Sequence, residues 1–268
     1  MFRLFRSIRQ QLLLRRPEGY EGHVLEGRVS RYFGYAFGEI VLIVVGILLA
    51  LQVSEWNQSR KDRTEERLII SNLHGEFLHN KKIFSEVSKQ LIAGKESNIQ
   101  LMELMNKNSN DLADYDLFYL LYQSIDHFHF TPSNNVASEI LQSGKLGLLK
   151  DEALKNSLRD WERVLENNLT SFNIHANYKD DQLIPYLMDH IALKNVDAHS
   201  FLNWEKPSEF EPGVYEIFKD RKFENLTDNL LYCIILREND FDEIEQTIDA
   251  ILELTTPETS SSPSSTPS

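Results

Sequence analysis

A continuous apolar run, GEIVLIVVGILLALQV, limits the possible folds of this chain more than any other feature. The segment Ala36–Glu55 has 20 residues, of which 12 are Leu, Ile, Val or Phe, and about 20 residues suffice for a helix to cross a bilayer core. These side chains contribute about −4 to −7 kcal/mol to insertion, whereas one acid such as Glu39 costs roughly 3 kcal/mol at the centre and less near an end. The sequence therefore predicts a transmembrane helix at residues 36–56, with Tyr35 and Trp56 as interfacial aromatic residues.

Two other interpretations of the apolar run fit its length and flanks less well. A cleaved signal peptide needs a short basic leader and a small-residue cleavage site, but more than thirty residues precede this run and no A-x-A pattern follows it. A buried core helix of a soluble protein fits the strictest apolar stretch, Ile40–Leu51, which has only 12 residues. The transmembrane interpretation accounts better for the full length and for the aromatic flanks.

Charge is distributed unevenly on the two sides of the run. Residues 1–31 hold seven Arg and three Glu, for a net charge of +4, whereas residues 56–268 carry 21 Lys and Arg against 36 Asp and Glu, for −15. Lys and Arg are enriched in the short cytoplasmic flanks of membrane helices. We therefore expect a single-pass protein of the bacterial inner membrane with a cytoplasmic N-terminus, and a C-terminal body that lies in the periplasm of a Gram-negative bacterium.

The first 16 residues, MFRLFRSIRQQLLLRR, alternate apolar residues with Arg at helical spacing. This pattern is typical of an amphipathic helix on an anionic membrane surface, so residues 1–31 are predicted to form a basic amphipathic cytoplasmic head. An Arg-rich arm for nucleic acid would not need the regular apolar face, and the apolar run that follows disfavours an organelle transit peptide. The head is too short to hold a signalling output domain.

Small residues recur within and before the predicted span. Gly34, Gly38, Gly46 and Ala50 are separated by multiples of four residues, and small-xxx-small pairs on one helix face let two backbones approach closely. Glu39 lies seven residues before Gly46, on the same side. Two interpretations stay open for Glu39: it is protonated or paired inside a helix dimer, or it lies at the inner boundary and extends to the headgroups. These five residues form the candidate packing site of the transmembrane helix.

The chain beyond the apolar run is predicted to be helical. No Pro occurs between Pro17 and Pro132, so the transmembrane helix is expected to continue as a long helical stalk. In this stalk, mostly apolar residues recur at alternating spacings of three and four. This pattern predicts a coiled-coil or helix-bundle seam, in which the polar residues Asn80 and Asn98 set the register. The seam comprises Ile70, Leu73, Phe77, Asn80, Phe84, Val87, Leu91, Gly94, Asn98, Leu101 and Met105.

Later segments extend the all-α prediction. Asp151 is a plausible N-cap, Pro185 bends or restarts its helix, and Asp240 with Glu243 forms a variant capping box for the last helix. Residues 57–254 are thus predicted to pack as an extracytoplasmic helical bundle, followed by a disordered Ser, Thr and Pro tail at 255–268. Helices are expected at 111–126, 135–143, 151–181, 215–237 and 241–254, with a looser region at 195–213.

No catalytic or ligand-binding signature rises above background. Glu76 and His79 have the Glu-x-x-His spacing of di-iron helices, but such sites need a second motif and two further Glu, and the nearest companion, Asp126, departs in residue type. Metal binding by these three residues is left open. The single Cys233 lies in LLYCIIL and is interpreted as a small buried hydrophobe. No nucleophile elbow, P-loop or zinc motif is present, the acidic body argues against nucleic acid, and neither an enzymatic activity nor a cofactor is predicted.

Several motifs together resemble a bacterial membrane-protein family. Four motifs are similar to the N-terminal signature of this family. They are an IRQ-x-LL-like start at Ile8–Leu13, a Y-A-x-G-E-I motif where the span begins at Tyr35–Ile40, an ALQ motif near its end at Ala50–Gln52, and a Trp-Asn pair after it at Trp56–Asn57. The segment SEILQSGKLGLLKDEALKNSL at 138–158 resembles its inner motif. The family is catalogued only as a domain of unknown function (number six-zero-nine-zero). The resemblance implies a single-pass inner-membrane protein, and it implies no activity, cofactor or functional residue.

These observations favour a membrane-anchored interaction or scaffold module that acts through protein contacts, with the lipid bilayer and a protein partner or a second copy as its expected binding partners. The alternative is a sensor whose helical domain binds a small ligand and signals through a cytoplasmic partner. An apolar pocket with convergent polar groups favours the sensor. A filled core with an exposed apolar surface favours the interaction module.

Overall fold

The computed structural model describes residues 26–126, 129–210 and 213–257, with side chains described from Ala36 onward. All regular structure in these ranges is helical, which confirms the all-α prediction. The first helix, α1, runs from Glu26 to Glu103. The described residues fall into two compact units, which are divided between Lys61 and Asp62. The predicted amphipathic helix at the N-terminus and the tail beyond residue 257 lie outside the described residues.

The described part of the first unit consists of the N-terminal portion of α1. Its apolar side chains, from Phe37 to Trp56, are exposed. The most apolar window of 18 residues has a mean hydropathy of 2.5, and none of it is buried. Among the described residues, α1 is the one helix that is long and apolar enough to cross a membrane, as the sequence predicted.

The second unit contains the remainder of α1 and the later helices, and its described residues, 62–257, are called the helical body. After α1 come α2 (Ser109–Leu112), α3 (Leu117–Ile125), α4 (Asn135–Gln142), a 3-10 turn (Lys145–Leu148), α5 (Glu152–Tyr178), a π-helical turn (Lys179–Leu183), α6 (Ile184–His190), α7 (Leu193–Asp197), α8 (Val214–Ile217) and α9 (Arg221–Thr255).

The predicted seam of α1 forms the centre of the core. Leu73, Phe77, Phe84, Leu91 and Leu101 are all buried, which confirms the three-and-four spacing as a core-facing stripe. Phe77 packs edge-on against Trp161 of α5 with ring centroids 4.9 Å apart, and Phe84 contacts Phe241 of α9 at 5.3 Å. The stalk sequence therefore buries its apolar face against later helices of the same chain.

Helices α5 and α9 form the most extensive contact between elements that the described residues show. They run antiparallel, because Arg163 pairs with Glu243 at 3.2 Å whereas Tyr178 donates to the Leu226 carbonyl at 3.1 Å. Asp151 caps α5 as predicted, accepting from the amides of Ala153 and Leu154.

Two helix boundaries differ from the prediction. The expected pair of helices at 215–237 and 241–254 is one continuous helix, α9, so Asp240 lies inside a helix and is not its cap. The N-cap of α9 is Asp220, whose Oδ1 accepts from the Lys222 amide at 2.8 Å. No Gly or Pro interrupts residues 221–255, so the acids near Asp240 fit a solvated helix face and do not end the helix.

The second correction concerns the helix predicted at 111–126. It begins only at Leu117, because Asp116 accepts from the Tyr119 amide at 3.0 Å and acts as the N-cap. Residues Ser109–Leu112 form a separate short turn of helix, capped by Asn108. A cap residue inside an otherwise helical pattern thus divides the segment.

Candidate functional site

The small-residue face of the predicted span is open in the structure. Glu39 and Ala50 are exposed, and a Cβ atom added at Gly38 or Gly46 would meet nothing within 4 Å. Gly34 lies in α1, in the portion whose side chains are not described. These positions are therefore not packed against any described residue, and the pairing of two spans stays a prediction.

Glu76 has a role that the sequence did not reveal. Its carboxylate is buried and accepts hydrogen bonds from the amides of Asn135, Val136 and Ala137, at 2.7 to 3.1 Å. It also accepts from the Ser133 hydroxyl at 3.0 Å. The first amides of an α-helix have no partner within the helix, and Asn134, the N-cap of α4, makes no capping bond with its own side chain. Glu76 therefore caps α4 from a distant part of the chain.

Two further side chains hold the same segment. Asn80 donates to the Ser133 carbonyl and accepts from the Ser133 amide, both at 2.8 Å. The indole N–H of Trp161 donates to the Asn134 side chain at 3.0 Å. We call Glu76, Asn80 and Trp161 the α4 clamp. Asn80, predicted as a register-setting seam residue, thus acts on backbone atoms more than fifty residues away.

The possible metal ligands are not brought together. Among the described residues, no group of three or more His, Cys, Asp or Glu is arranged to hold a metal ion. His79 is exposed on α1, and the Glu76 carboxylate is engaged by the four donors of α4 and Ser133. Asp126 accepts from the Tyr122 hydroxyl at 3.4 Å. Of the Glu-x-x-His pair, Glu76 acts as a helix cap and His79 takes no part in it.

A stripe of buried polar residues lies on the inner face of α5 and continues into the π-helical turn that follows it. Asn168, Ser171, His175 and Lys179 recur at spacings of three and four, and all are buried. They share a helix face with the core residue Trp161. Polar side chains in four successive positions of a buried face are unusual, because each must be desolvated.

Arg237 of α9 faces this stripe. Its side chain is 0% exposed, and those of His175 and Lys179 are only 3% and 2% exposed. The Arg237 Nη1 donates to His175 Nδ1 at 3.0 Å, and its guanidinium lies over the rings of Phe172 and Phe241 at 5.3 and 5.6 Å. Such contacts between a cation and aromatic faces offset part of the lost hydration. We call Asn168, Ser171, His175, Lys179 and Arg237 the polar core.

Burial changes the acid–base properties of the polar core. Desolvation lowers the pKa of Arg237 to about 10, and the negative charge of Asp240 opposes this change. Desolvation also lowers the pKa of Lys179, against the opposing charges of Asp180 and Asp126. Lys179 begins the π-helical turn that separates α5 from α6, and single π turns inside helices are frequent at functional sites.

Sequence analysis missed the polar core, although a signal was present. Leu230, Ile234, Arg237 and Phe241 follow the three-and-four spacing of one buried face, so an Arg occupies a position where the pattern demands an apolar residue. His175 and Lys179 likewise continue the face of Trp161. Cys233, predicted as a small buried hydrophobe, is buried, and desolvation raises the pKa of its thiol.

A second feature is the segment 198–210, which follows α7 and is called the aromatic loop. Phe201 is 94% and Phe210 81% exposed, and Leu202 and Trp204 are also exposed. The loop is nevertheless held in place, because the Ser208 amide donates to Asn195 Oδ1 at 2.7 Å and Lys194 donates to the Pro207 carbonyl at 3.3 Å. A fixed backbone thus presents large apolar side chains to solvent.

Comparisons with known proteins agree with the resemblance noted in the sequence. No curated protein matches the chain, and no solved structure matches it. A family match covers residues 39–169. It includes residues 39–56 of the predicted span, the whole α4 clamp and the inner motif at 138–158, whereas His175, Lys179, Arg237 and the aromatic loop lie beyond it. Residues 39–169 match the model of a family of unknown function (DUF6090).

Proposed function

We propose that the protein is a membrane-anchored interaction module, in which the apolar part of α1 spans the bilayer and the helical body contacts a protein partner. The observation that carries the proposal is the aromatic loop. Its side chains expose apolar area that a soluble surface rarely presents in one segment without use. The filled core of the helical body, centred on Phe77 and Trp161, supports recognition at the surface.

The chemistry of the loop indicates the kind of partner. The aromatic loop holds two Glu against one Lys, so the surface is acidic as well as aromatic. Aromatic anchors surrounded by charged side chains are typical of protein–protein contacts. A partner with apolar pockets and a basic rim would fit, whereas an anionic lipid surface would be repelled. The hydrogen bonds that fix the loop reduce the entropy lost on binding.

Site-specific photo-crosslinking in living cells tests this proposal. A photoreactive phenylalanine analogue replaces Phe201 in the full-length protein, and the control carries it at Leu169, which is exposed on α5. We expect one discrete protein adduct from position 201 and none from 169, and we expect Phe210→Ser to abolish the adduct. Equal adducts from both positions, or none from 201, would contradict the proposal.

The topology is part of the proposal. The charge bias supports a cytoplasmic N-terminus and a periplasmic helical body in the inner membrane. In a Cys233→Ser background, a membrane-impermeant maleimide should label Lys89→Cys in intact spheroplasts, because Lys89 is exposed on α1. Labelling that occurs only after lysis would place the body in the cytoplasm and reverse the topology.

The polar core favours a second candidate function, a sensor that binds a small polar ligand. Among the described residues, Asn168 Oδ1 of the polar core is buried without a hydrogen-bond partner, and buried polar atoms of this kind are rare unless water or a ligand serves them. Native mass spectrometry of the purified full-length protein tests this candidate. A retained small molecule should be lost in Asn168→Leu and kept in Asn167→Leu, whose side chain is exposed. If the wild-type protein retains none, this candidate is not supported.

A further inference from the structure

The outer faces of α1 and α9 each carry a row of exposed residues with heptad spacing. In the helical body, these residues recur at alternating spacings of three and four, which places them on one face of each helix. The outer stripe of α1 comprises Lys82, Ser85, Lys89, Ile92, Glu96 and Ile99. The outer stripe of α9 comprises Tyr232, Ile235, Asn239, Asp242, Gln246 and Asp249. A row of this kind can pack lengthwise against a further helix.

The two outer stripes expose apolar side chains that helices usually bury. Ile92, Ile99, Tyr232 and Ile235 are 40–59% exposed. Residues 230–236, LLYCIIL, are apolar on every side of α9, and a helix segment that is apolar all round is typical of a buried position. The inner side of this segment packs in the core of the body, so its outer side is expected to be covered as well.

Ion pairs between α1 and α9 show which residues of the two helices lie at the same level. Lys81 pairs with Asp249, and Lys95 pairs with Glu238, so the two helices run antiparallel. Interpolation between these pairs sets Lys89 level with Asp242. By the same register, Ile99 is level with Ile235. The basic part of the α1 stripe thus lies level with the acidic part of the α9 stripe, and the apolar parts coincide.

A twofold axis parallel to both helices would join these stripes in a second copy. Such an axis keeps every residue at its own level and sets α1 of one copy opposite α9 of the other, as in an isologous dimer. Lys89 then faces Asp242 of the second copy, and Ile99 faces Ile235 of the second copy. Opposite charges beside an apolar seam set partner choice and orientation between helices. Each outer stripe therefore complements the other.

Acidic residues limit this contact at one end. The next positions of the two stripes are Glu103 and Asp228, and both are exposed. Glu103 is also the last residue of α1. Like charges that face each other oppose association, so the contact is expected to end at Ile99.

The segments outside the described residues do not fit the stripes. Residues 258–268 contain no Leu, Ile, Val, Phe, Tyr or Trp, so they cannot cover apolar side chains. Residues 1–25 combine apolar residues with Arg, but under the proposed topology they lie on the other side of the membrane. A second copy supplies both the apolar and the charged complement.

We propose that the outer stripes of α1 and α9 form a twofold interface between two copies of this chain. The inference goes beyond the proposed function, because it concerns the outer faces of α1 and α9 and not the aromatic loop. The dimer would hold two aromatic loops in one assembly. A partner with two binding sites would then be bound more tightly than by one copy.

Cysteine cross-linking of the full-length protein in membranes tests the interface. A twofold axis brings each residue beside it opposite its own counterpart, so one introduced cysteine is sufficient. In a Cys233→Ser background, Ile99→Cys is oxidised with copper phenanthroline, and the control is Ile174→Cys, at an exposed position of α5. We expect a disulfide-linked dimer from position 99 and only background from position 174. Ile92→Cys, in the same stripe, repeats the test if Ile99→Cys fails to fold.

Charge reversal shows whether the dimer forms through the stripes. In the Ile99→Cys protein, Lys89→Glu places like charges opposite each other at two symmetric contacts, so we expect the linked dimer to decrease by at least about fivefold. Adding Asp242→Lys should restore at least half of it. Circular dichroism checks that the variants are equally folded. Pairing through the membrane spans alone would not respond to these charges.

Several results would overturn the proposal. They are the absence of a dimer from both Ile99→Cys and Ile92→Cys, equal linking at positions 99 and 174, or an adduct of position 99 with another protein in place of a second copy. A dimer that is unchanged in Lys89→Glu, or not restored in the folded double variant, also overturns it. Photo-crosslinking from Phe201 tests a different surface, so a failure here is distinct from a failure of the proposed function.

Discussion

The α4 clamp and the polar core both bury charged side chains, but they differ in how far neighbouring groups compensate the charge. The single negative charge of Glu76 is surrounded by three helix amides and a hydroxyl that are aimed at it. The positive charges of Lys179 and Arg237 are held between helices, and desolvation is the largest influence on the pKa of each. Fixed donors compensate a buried charge, whereas aromatic faces and partly exposed acids compensate it incompletely. The buried charge of the clamp is thus well compensated, whereas the buried charges of the polar core are compensated only in part.

The largest expected effect is the loss of the clamp. Glu76→Ala leaves the first amides of α4 without their acceptor, and hydrogen bonds to a charged group contribute about 1.5–3 kcal/mol each, although not additively. We expect a loss of about 3 kcal/mol, or about 6–12 °C in melting temperature, measured by circular dichroism on the full-length protein. Glu86→Ala, an exposed acid on the same helix, is the matched control. Equal losses in the two variants would show that Glu76 is not a special cap.

Asn80 tests whether the clamp acts as a unit. Asn80→Ala removes both hydrogen bonds to Ser133 and leaves its amide and carbonyl without these partners, so we expect a loss of about 2 kcal/mol in urea unfolding. The double variant Glu76→Ala, Asn80→Ala should lose less than the sum of the single variants, because both residues hold one segment. Strict additivity would mean that they act independently.

A substitution of Lys179 tests whether the buried charge of the polar core, unlike that of the clamp, destabilises the fold. Lys179→Met keeps the length of the side chain and removes the buried charge, so we expect a gain of about 1 kcal/mol near pH 7.5. Because the lowered pKa of Lys179 means that its charge is disfavoured in the folded state, the gain should decline as the pH rises towards 10. Urea unfolding at the two pH values measures this. A loss of stability at pH 7.5 comparable with that of Glu76→Ala would show that the Lys179 charge is as well compensated as the clamp.

The smallest effect on stability is expected in the aromatic loop. Phe201→Ser removes a side chain that is 94% exposed, so the free energy of unfolding should change by less than about 0.5 kcal/mol. The same denaturant titration measures it. A loss of more than about 1 kcal/mol would mean that Phe201 packs against the body, and it would weaken the proposal that the loop is a contact surface.

Much of the fold was predictable because it depends on local pattern. The spacing of Leu73, Phe77 and Phe84 predicted the buried face of α1, and Asp151 predicted the start of α5. The prediction was wrong where two local signals competed. Asp240 has the pattern of a cap but lies inside α9, and Asp116, taken as helical, is a cap. An Asp can either cap a helix or lie on a solvated helix face, and its residue type is the same in both cases. Only the packing of the neighbouring residues distinguishes the two roles.

By itself, the sequence determined the apolar run, its length and the helical period of the chain after it, because these follow from composition and spacing along one segment. Tertiary structure alone decided the two features that distinguish the helical body, namely the α4 clamp and the polar core. Glu76 became a cap because the chain brings residues 57 to 61 positions away onto its carboxylate. Arg237 became the partner of His175 across 62 positions. The energy of a buried charge depends on what surrounds it in space, and no local pattern records those surroundings.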